Sequence, residues 1–314
     1  MNALRAWLAT PASGRGAIAI VGLASDDAAG MDRMLSLVTD RAVSVGVPVL
    51  RALCTGDHGV VVRWSATRCD LMPHGGVANT RRLLRALEDG GAVVGQATAE
   101  TYVEASDEIE RRMLDALARA ASPLAIDLLL DQPRRWREAG GAGSVNEDPR
   151  LRRLIEPALV VAVGPPSVGK STLLNALAGR GVAMVHEAPG TTRDHVGAWI
   201  DLAGLVVRYV DTPGWRDADG PIEEEAQGIA MELTRSADLI LLCGDATTAA
   251  PELVAKTGER LRVATRIDLG EPSWRFDVGV SALDAASVTA FALRARDLLV
   301  PPELLADPRP WRFW

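Results

Sequence analysis

Residues 164–171 read Gly-Pro-Pro-Ser-Val-Gly-Lys-Ser: a glycine, four residues, then Gly-Lys-Ser. Glycines let a backbone turn tightly enough to aim several N–H groups at one oxyanion. A lysine here bridges the β- and γ-phosphates of a nucleotide, and a serine hydroxyl is a ligand for Mg²⁺. The candidate cradle is Gly164, Ser167, Val168, Gly169, Lys170, Ser171 and Thr172. The chain has only two lysines, Lys170 and Lys256, and uses arginine elsewhere. A forked guanidinium would present a different geometry to a phosphate, so the lysine fits a working loop. A chance Gly-rich turn between strand and helix is the bland alternative.

Two downstream stretches complete a phosphate sensor. Asp211-Thr212-Pro213-Gly214 follows the apolar run Leu205–Val210. A carboxylate at that strand end would hold Mg²⁺ through water. The Gly214 N–H would meet the γ-phosphate and turn away when it leaves. Residues 188–194 (APGTTRD) supply Thr191 and Thr192, and Thr192 would close over the metal once a γ-phosphate orders its loop. The expected metal set is Ser171, Thr192 and Asp211.

Base choice falls to Thr265-Arg266-Ile267-Asp268 and Ser281-Ala282. Asp268 would accept from guanine N1–H and the exocyclic amine, a pair adenine does not offer. Arg266 would stack on the base, and Ser281 and Ala282 would close over guanine O6. GTP or GDP with Mg²⁺ is the expected ligand. A surface ion pair beside a turn is the competing reading of Arg266 and Asp268.

These residues need elements to hold them. From about residue 151 strands alternate with helices: strands at 158–163, 196–201, 205–210, 238–243, 261–265 and 276–280, helices at 170–179, 223–235 and 285–299. Such alternation predicts an α/β fold with a mostly parallel sheet covered on both faces. Residues 1–95 read as a small α+β unit. It has a strand at 17–21, a helix over 31–39, strands at 47–54 and 59–64, and a helix over 79–87. Residues 96–150 are helical, with an amphipathic face of Ile109, Met113 and Leu117, a second helix from 123 to 138, and a Gly-rich linker at 139–149. Residues 151–300 form the nucleotide unit, and 301–314 a proline-rich irregular tail.

Composition narrows the class. A net charge of −7 argues against a general nucleic-acid binder. Three dispersed cysteines, Cys54, Cys69 and Cys243, give no disulfide framework and fit a reducing cytoplasm. No stretch of eighteen apolar residues predicts a membrane span.

The motifs then resemble a family. GTTRD after the phosphate loop, followed by DTPG, is similar to the TrmE/Era/EngA type of P-loop GTPases with a Ras-like sheet. The runs LLNALAGRGVAMVHEAPGTTRD and DTPGWRD through IEEEAQ to ADLILLCGDAT resemble the MnmE/TrmE tRNA-modification GTPases. ATPASGRGAIAIVG and CDLMPHGG resemble the N-terminal domain of that family. The resemblance implies a homodimer through the N-terminal or G domain, and GTP hydrolysis with a catalytic glutamate at Glu223. It also implies an FAD-containing MnmG-like partner, a folate one-carbon donor and a tRNA wobble uridine as target.

This chain departs from the family at several points. Ser167 stands where the family has an asparagine that helps bind K⁺. Gly22 stands at the arginine used for folate, and Asp70 at its acidic residue. The RAFLN segment is not recognisable in 96–105, and no Cys-x-Gly-Lys ending follows the G domain before residue 314. The Ser167 hydroxyl can still ligate K⁺, so K⁺ stays a possible ligand although the asparagine is lost, and the changes at Gly22 and Asp70 argue against folate. Glu223-Glu224-Glu225 also read as an ordinary acidic helix start. Two rivals stand beside a hydrolase: a nucleotide-binding scaffold with little turnover, and a ribosome-assembly GTPase. His74, in PHGG, reads as a turn residue, and Arg134, Arg135, Arg137, Arg150, Arg152 and Arg153 as solvated surface.

Overall fold

The computed structural model describes residues 4–10, 17–96, 102, 105–140, 144–179, 184–185, 197–212, 231–251 and 258–314. Two compact units are present, Met1–Arg119 with Trp314, and Ala120–Phe313.

The first unit is a sheet with helices on one face. Its strands are β1 (Leu4–Leu8), β2 (Val21–Ser25), β3 (Val49–Ala52), β4 (His58–Ser65), β5 (Arg68–Met72) and β6 (Val93–Gln96), in the order β3-β4-β5-β2-β1-β6. Neighbours run antiparallel except β1 and β6. Helices α1 (Ala28–Val38) and α2 (Val77–Asp89) bury Met31, Met34, Leu83 and Leu87 against Val21, Leu23, Val61 and Leu71. Alternation along the strands sends every second side chain into that core.

The apolar run at 17–21 predicts a strand there, and the pattern from Met31 predicts a helix beginning at 31. The strand instead starts at Val21, and Ile18, 57% exposed, makes only an isolated bridge to His74. The helix starts earlier because Asp27 caps it, its carboxylate accepting from the Gly30 N–H at 2.6 Å. Helix α3 (Glu108–Arg119) also belongs to this unit.

The second unit opens with α4 (Leu124–Leu130) and α5 (Gln132–Ala139), where the periodicity predicts one helix. Pro133 divides them: its ring has no N–H and crowds the carbonyl four residues back. A 3₁₀ turn, Pro149–Leu154, leads into the sheet. The strands are β7 (Ala158–Val163), β8 (Met184–Val185), β9 (Gly197–Leu202), β10 (Leu205–Asp211), β11 (Leu239–Gly244), β12 (Glu259–Thr265) and β13 (Val278–Val280). Their order is β13-β12-β11-β7-β10-β9-β8. Five of them run parallel, while β9 and β8 extend the sheet antiparallel. Every residue of β7 and β11 is buried, as central strands covered on both faces must be. Helices α6 (Lys170–Ala178) and α7 (Ala285–Leu299) and a helical stretch at 231–236 complete this part.

Beyond α7 the chain makes one short helix, α8 (Pro302–Leu305), then runs irregularly but is firmly held. Gln132 is fully buried: its Oε1 accepts from the Trp311 N–H at 2.7 Å, and its Nε2 donates to the Leu128 carbonyl at 2.9 Å. Asn146 donates to Asp307 at 2.7 Å, and Arg135 donates to the Asp307 carbonyl. Trp311 and Phe313 are buried there.

Candidate nucleotide site

The loop between β7 and α6 has the backbone its glycines allow. Gly164 has φ +150°, Ser167 +60° and Gly169 +101°. Such left-handed turns gather successive N–H groups on one concave side. Gly164 has a second reason to be glycine: a Cβ there would lie 2.1 Å from the Cys243 carbonyl oxygen at the end of β11. Gly169 is the N-cap of α6, with no side chain bonded to the first helical amides. Those amides and the helix dipole face the loop.

Lys170 is 5% exposed and donates to the carbonyls of Gly164 at 3.0 Å and Pro165 at 2.8 Å. Burial pushes its pKa down, and the Asp211 carboxylate works against that shift. Asp211 ends β10, whose parallel register on β7 sets Asp211 opposite Ala162, just before the loop. The Ser171 hydroxyl donates to Asp211 Oδ2. Asp211 Oδ1 is buried without a hydrogen-bond partner. One hydroxyl and one carboxylate are oxygen donors suited to a hard divalent cation, and the orphaned oxygen is what such a cation would complete. Ser171 and Asp211 thus fit Mg²⁺. Just beyond, Thr212 donates to the Ala162 carbonyl at 2.8 Å and ties the strand end down.

Thr265 and Arg266 meet the same loop. Thr265 ends β12 and is 2% exposed; its hydroxyl lies within donating reach of the Val168 carbonyl and of the Gly244 carbonyl at 2.9 Å. It has one proton and spends it inside the protein. Arg266 has φ +52°, and its Cγ lies 3.3 Å from where a Cβ on Gly169 would stand. Its stem therefore covers the phosphate loop, and its guanidinium donates to Asp245. Asp268 sits exposed on the 3₁₀ turn Ile267–Leu269.

The pairing of Thr265 with Val280 brings Ser281 and Ala282 to the same sheet edge. Ser281 is 3% exposed; its N–H donates to Ser287 Oγ at 3.0 Å. Asp284 caps α7 by accepting from Ala286 and Ser287. Thr172 is exposed one residue beyond Ser171. Thr191, Thr192, Gly214 and Glu223 lie outside the described residues.

Sequence reasoning missed Asp245. It follows β11, is 2% exposed, and accepts from the Thr247 N–H at 2.9 Å and the Thr247 hydroxyl at 2.7 Å, besides Arg266. Burial raises its pKa, but these hydrogen bonds outweigh burial and leave it below the usual carboxylate value. The available signal was an aspartate closing a wholly apolar strand.

The other residues weighed in the sequence have structural partners. His74 Nδ1 lies 2.7 Å from Asp57, which Asn79 also meets at 2.7 Å. The His74 hydrogen bond draws the Asp57 pKa down to about 2, against burial. Arg134 and Arg135 pair with Asp131, Arg150 with Asp148 and Arg153 with Asp238. Among the described residues no group of three or more His, Cys, Asp or Glu could hold a metal, and no helix is long and apolar enough to cross a membrane.

The sequence profile of the 50S ribosome-binding GTPase family matches residues 159–267, the stretch from β7 to the 3₁₀ turn. A tRNA modification GTPase MnmE from Acidiphilium cryptum is 40% identical over 195 residues, covering 60% of this chain and 40% of that protein. The MnmE of Methylobacterium radiotolerans is 32% identical over 351 aligned positions, covering 91% of this chain and 78% of that protein. This chain belongs to the MnmE family of tRNA modification GTPases. Its second unit contains the family's P-loop GTPase domain. A solved structure of Aquifex aeolicus Era bound to GDP·AlF₄⁻ is 25% identical, covering 44% of this chain and 56% of that one at a TM-score of 0.35. This MnmE-family chain spans well under half the length of the Acidiphilium relative in the matched region.

Proposed function

We propose that this chain binds GTP with Mg²⁺, hydrolyses it to GDP and phosphate, and serves tRNA wobble-uridine modification, as the names of its relatives suggest. The observation that carries the reading is the meeting of Lys170, Ser171 and Asp211 from two separate motifs at one loop. Backbone amides of Gly164–Gly169 and the first turn of α6 would hold the β-phosphate, and Lys170 would exchange its two carbonyl partners for phosphate oxygens. Mg²⁺ on Ser171 and Asp211 would neutralise charge on the β- and γ-oxygens. Water would attack the γ-phosphorus in line as the bridging bond to the β-phosphate breaks. Glu223 is assigned to orient that water, and Thr191, Thr192 and Gly214 to sense the γ-phosphate. Asp268, Arg266, Ser281 and Ala282 would hold guanine.

The finer assignments follow the same reading. Residues 1–95, 96–150, 151–300 and 301–314 are the proposed divisions, with a homodimer, an FAD-containing partner and tRNA as associates in the cytoplasm. Ser167 in the asparagine position speaks against K⁺ stimulation. Gly22 offers no guanidinium where the family carries arginine, which speaks against folate; a Cβ there would lie 2.3 Å from the Trp7 ring, so a side chain would have to displace the indole. Arg68 stacks on that ring at 5.4 Å, and Asp70 accepts from the Trp64 indole at 2.7 Å.

The test is GTP turnover in K⁺ and in Na⁺ buffers, for the wild type and for Glu223→Ala. Turnover that the substitution abolishes, similar in both salts, is expected. Tight GTP binding with no turnover in either salt would remove the hydrolase reading and leave a nucleotide-binding scaffold.

A further inference from the structure

We infer that Asp245 is a positioning residue for guanine recognition, acting through Arg266. The inference rests on the guanine-nucleotide reading above and extends it to a residue outside the recognised motifs.

Three loops meet at this point. Asp245 begins the loop after β11, Arg266 begins the turn after β12, and Gly169 closes the phosphate loop before α6. Thr265 draws the first and third together through the Gly244 and Val168 carbonyls. Arg266, from the second loop, reaches both of the others. Its stem lies over Gly169, and its guanidinium is fastened to Asp245. The carboxylate is itself pre-set: Thr247 donates to it twice from the following turn, so it is held in place before Arg266 arrives.

Arg266 needs such an anchor. It adopts a left-handed backbone at φ +52°, which is unfavourable for a residue with a Cβ. It also buries Nε without a partner. A free arginine at that position would relax toward solvent. Two residues on, Asp268 stands exposed on the same 3₁₀ turn, and its direction is set by the backbone at Arg266, the N-cap of that turn. Releasing the guanidinium therefore loosens the platform under the base and the carboxylate that reads it. The hydrogen bonds made by the Lys170 and Ser171 side chains involve neither Asp245 nor Arg266.

The experiment is a double-mutant cycle on the full chain, read with fluorescent GDP release, GDP and ADP affinities, and thermal unfolding. Asp245→Asn is expected to speed GDP release about tenfold and to narrow the preference for GDP over ADP. Arg266→Ala is expected to do the same. The double variant should be no worse than either single one, because both changes cut one linkage. Three results would overturn the inference: unchanged release in Asp245→Asn, equal weakening of GDP and ADP, or additive effects in the double variant. A role confined to stability would lower the unfolding temperature without moving the GDP/ADP ratio. Wild-type protein that ignores guanine nucleotides would instead remove the reading on which this inference stands.

Discussion

The Ser171 hydroxyl reaches Asp211 across forty residues of chain, and it satisfies only one of the two carboxylate oxygens. A buried acceptor without a donor costs on the order of 1–3 kcal/mol. A bound cation would relieve that cost and tie the strand end to the helix start. Chelation with EDTA is therefore predicted to speed release of fluorescent GDP at least tenfold in the wild type. In Asp211→Asn the release should already be fast and little changed by EDTA. A wild type indifferent to chelation would count against the metal assignment to Ser171 and Asp211.

Lys170 spends its charge on two backbone carbonyls, and phosphate oxygens are better partners for an ammonium. Replacing it by alanine is predicted to weaken GDP and GTP binding by about 3 kcal/mol, roughly a hundredfold. Isothermal titration would report this directly. Lys170→Arg is predicted not to restore binding, since a planar fork cannot occupy the space of a point charge under a tight loop.

Gly164 faces the Cys243 carbonyl oxygen at a distance no Cβ tolerates, and its φ of +150° suits only glycine. Gly164→Ala must push β7 and β11 apart at the loop. The predicted loss is about 3 kcal/mol of stability, from overpacking and backbone strain together. Chemical denaturation would show it as a lower midpoint with an unchanged slope.

Asp57 gathers donors from His58, His74 and Asn79, and its pKa falls to about 2. Its folded value thus lies below the unfolded one of about 4. The stability it contributes is present above pH about 4 and is lost as pH falls toward 2. Asp57→Asn is predicted to flatten the acid limb of the stability curve in that window, lowering stability at neutral pH and leaving it little changed near pH 2. Unfolding midpoints measured between pH 2 and 5 would check it.

Much of the site was readable because its chemistry is local. Gly164, Gly169, Lys170 and Ser171 follow one another in the chain, and glycine at 164 and 169 is demanded by the backbone angles the loop adopts. The parallel strands β7 and β11 were legible for a similar reason: burial on both faces writes an unbroken apolar run. Element ends were less legible. The break at Pro133 inside an apolar helical pattern, and the earlier start of α1 at the Asp27 cap, depend on single residues whose effect overrides periodicity.

The sequence by itself determined the phosphate loop, the alternating α/β order and the family, because these reside in contiguous residue types and spacings. Only the tertiary structure decided that the Ser171 hydroxyl donates directly to Asp211, that Asp245 holds Arg266, that Trp7 fills the space over Gly22, and that Gln132 locks the irregular tail. Each of those joins residues far apart in the chain or on separate strands. Their meeting depends on strand register and on the close packing of the interior, which no local pattern encodes.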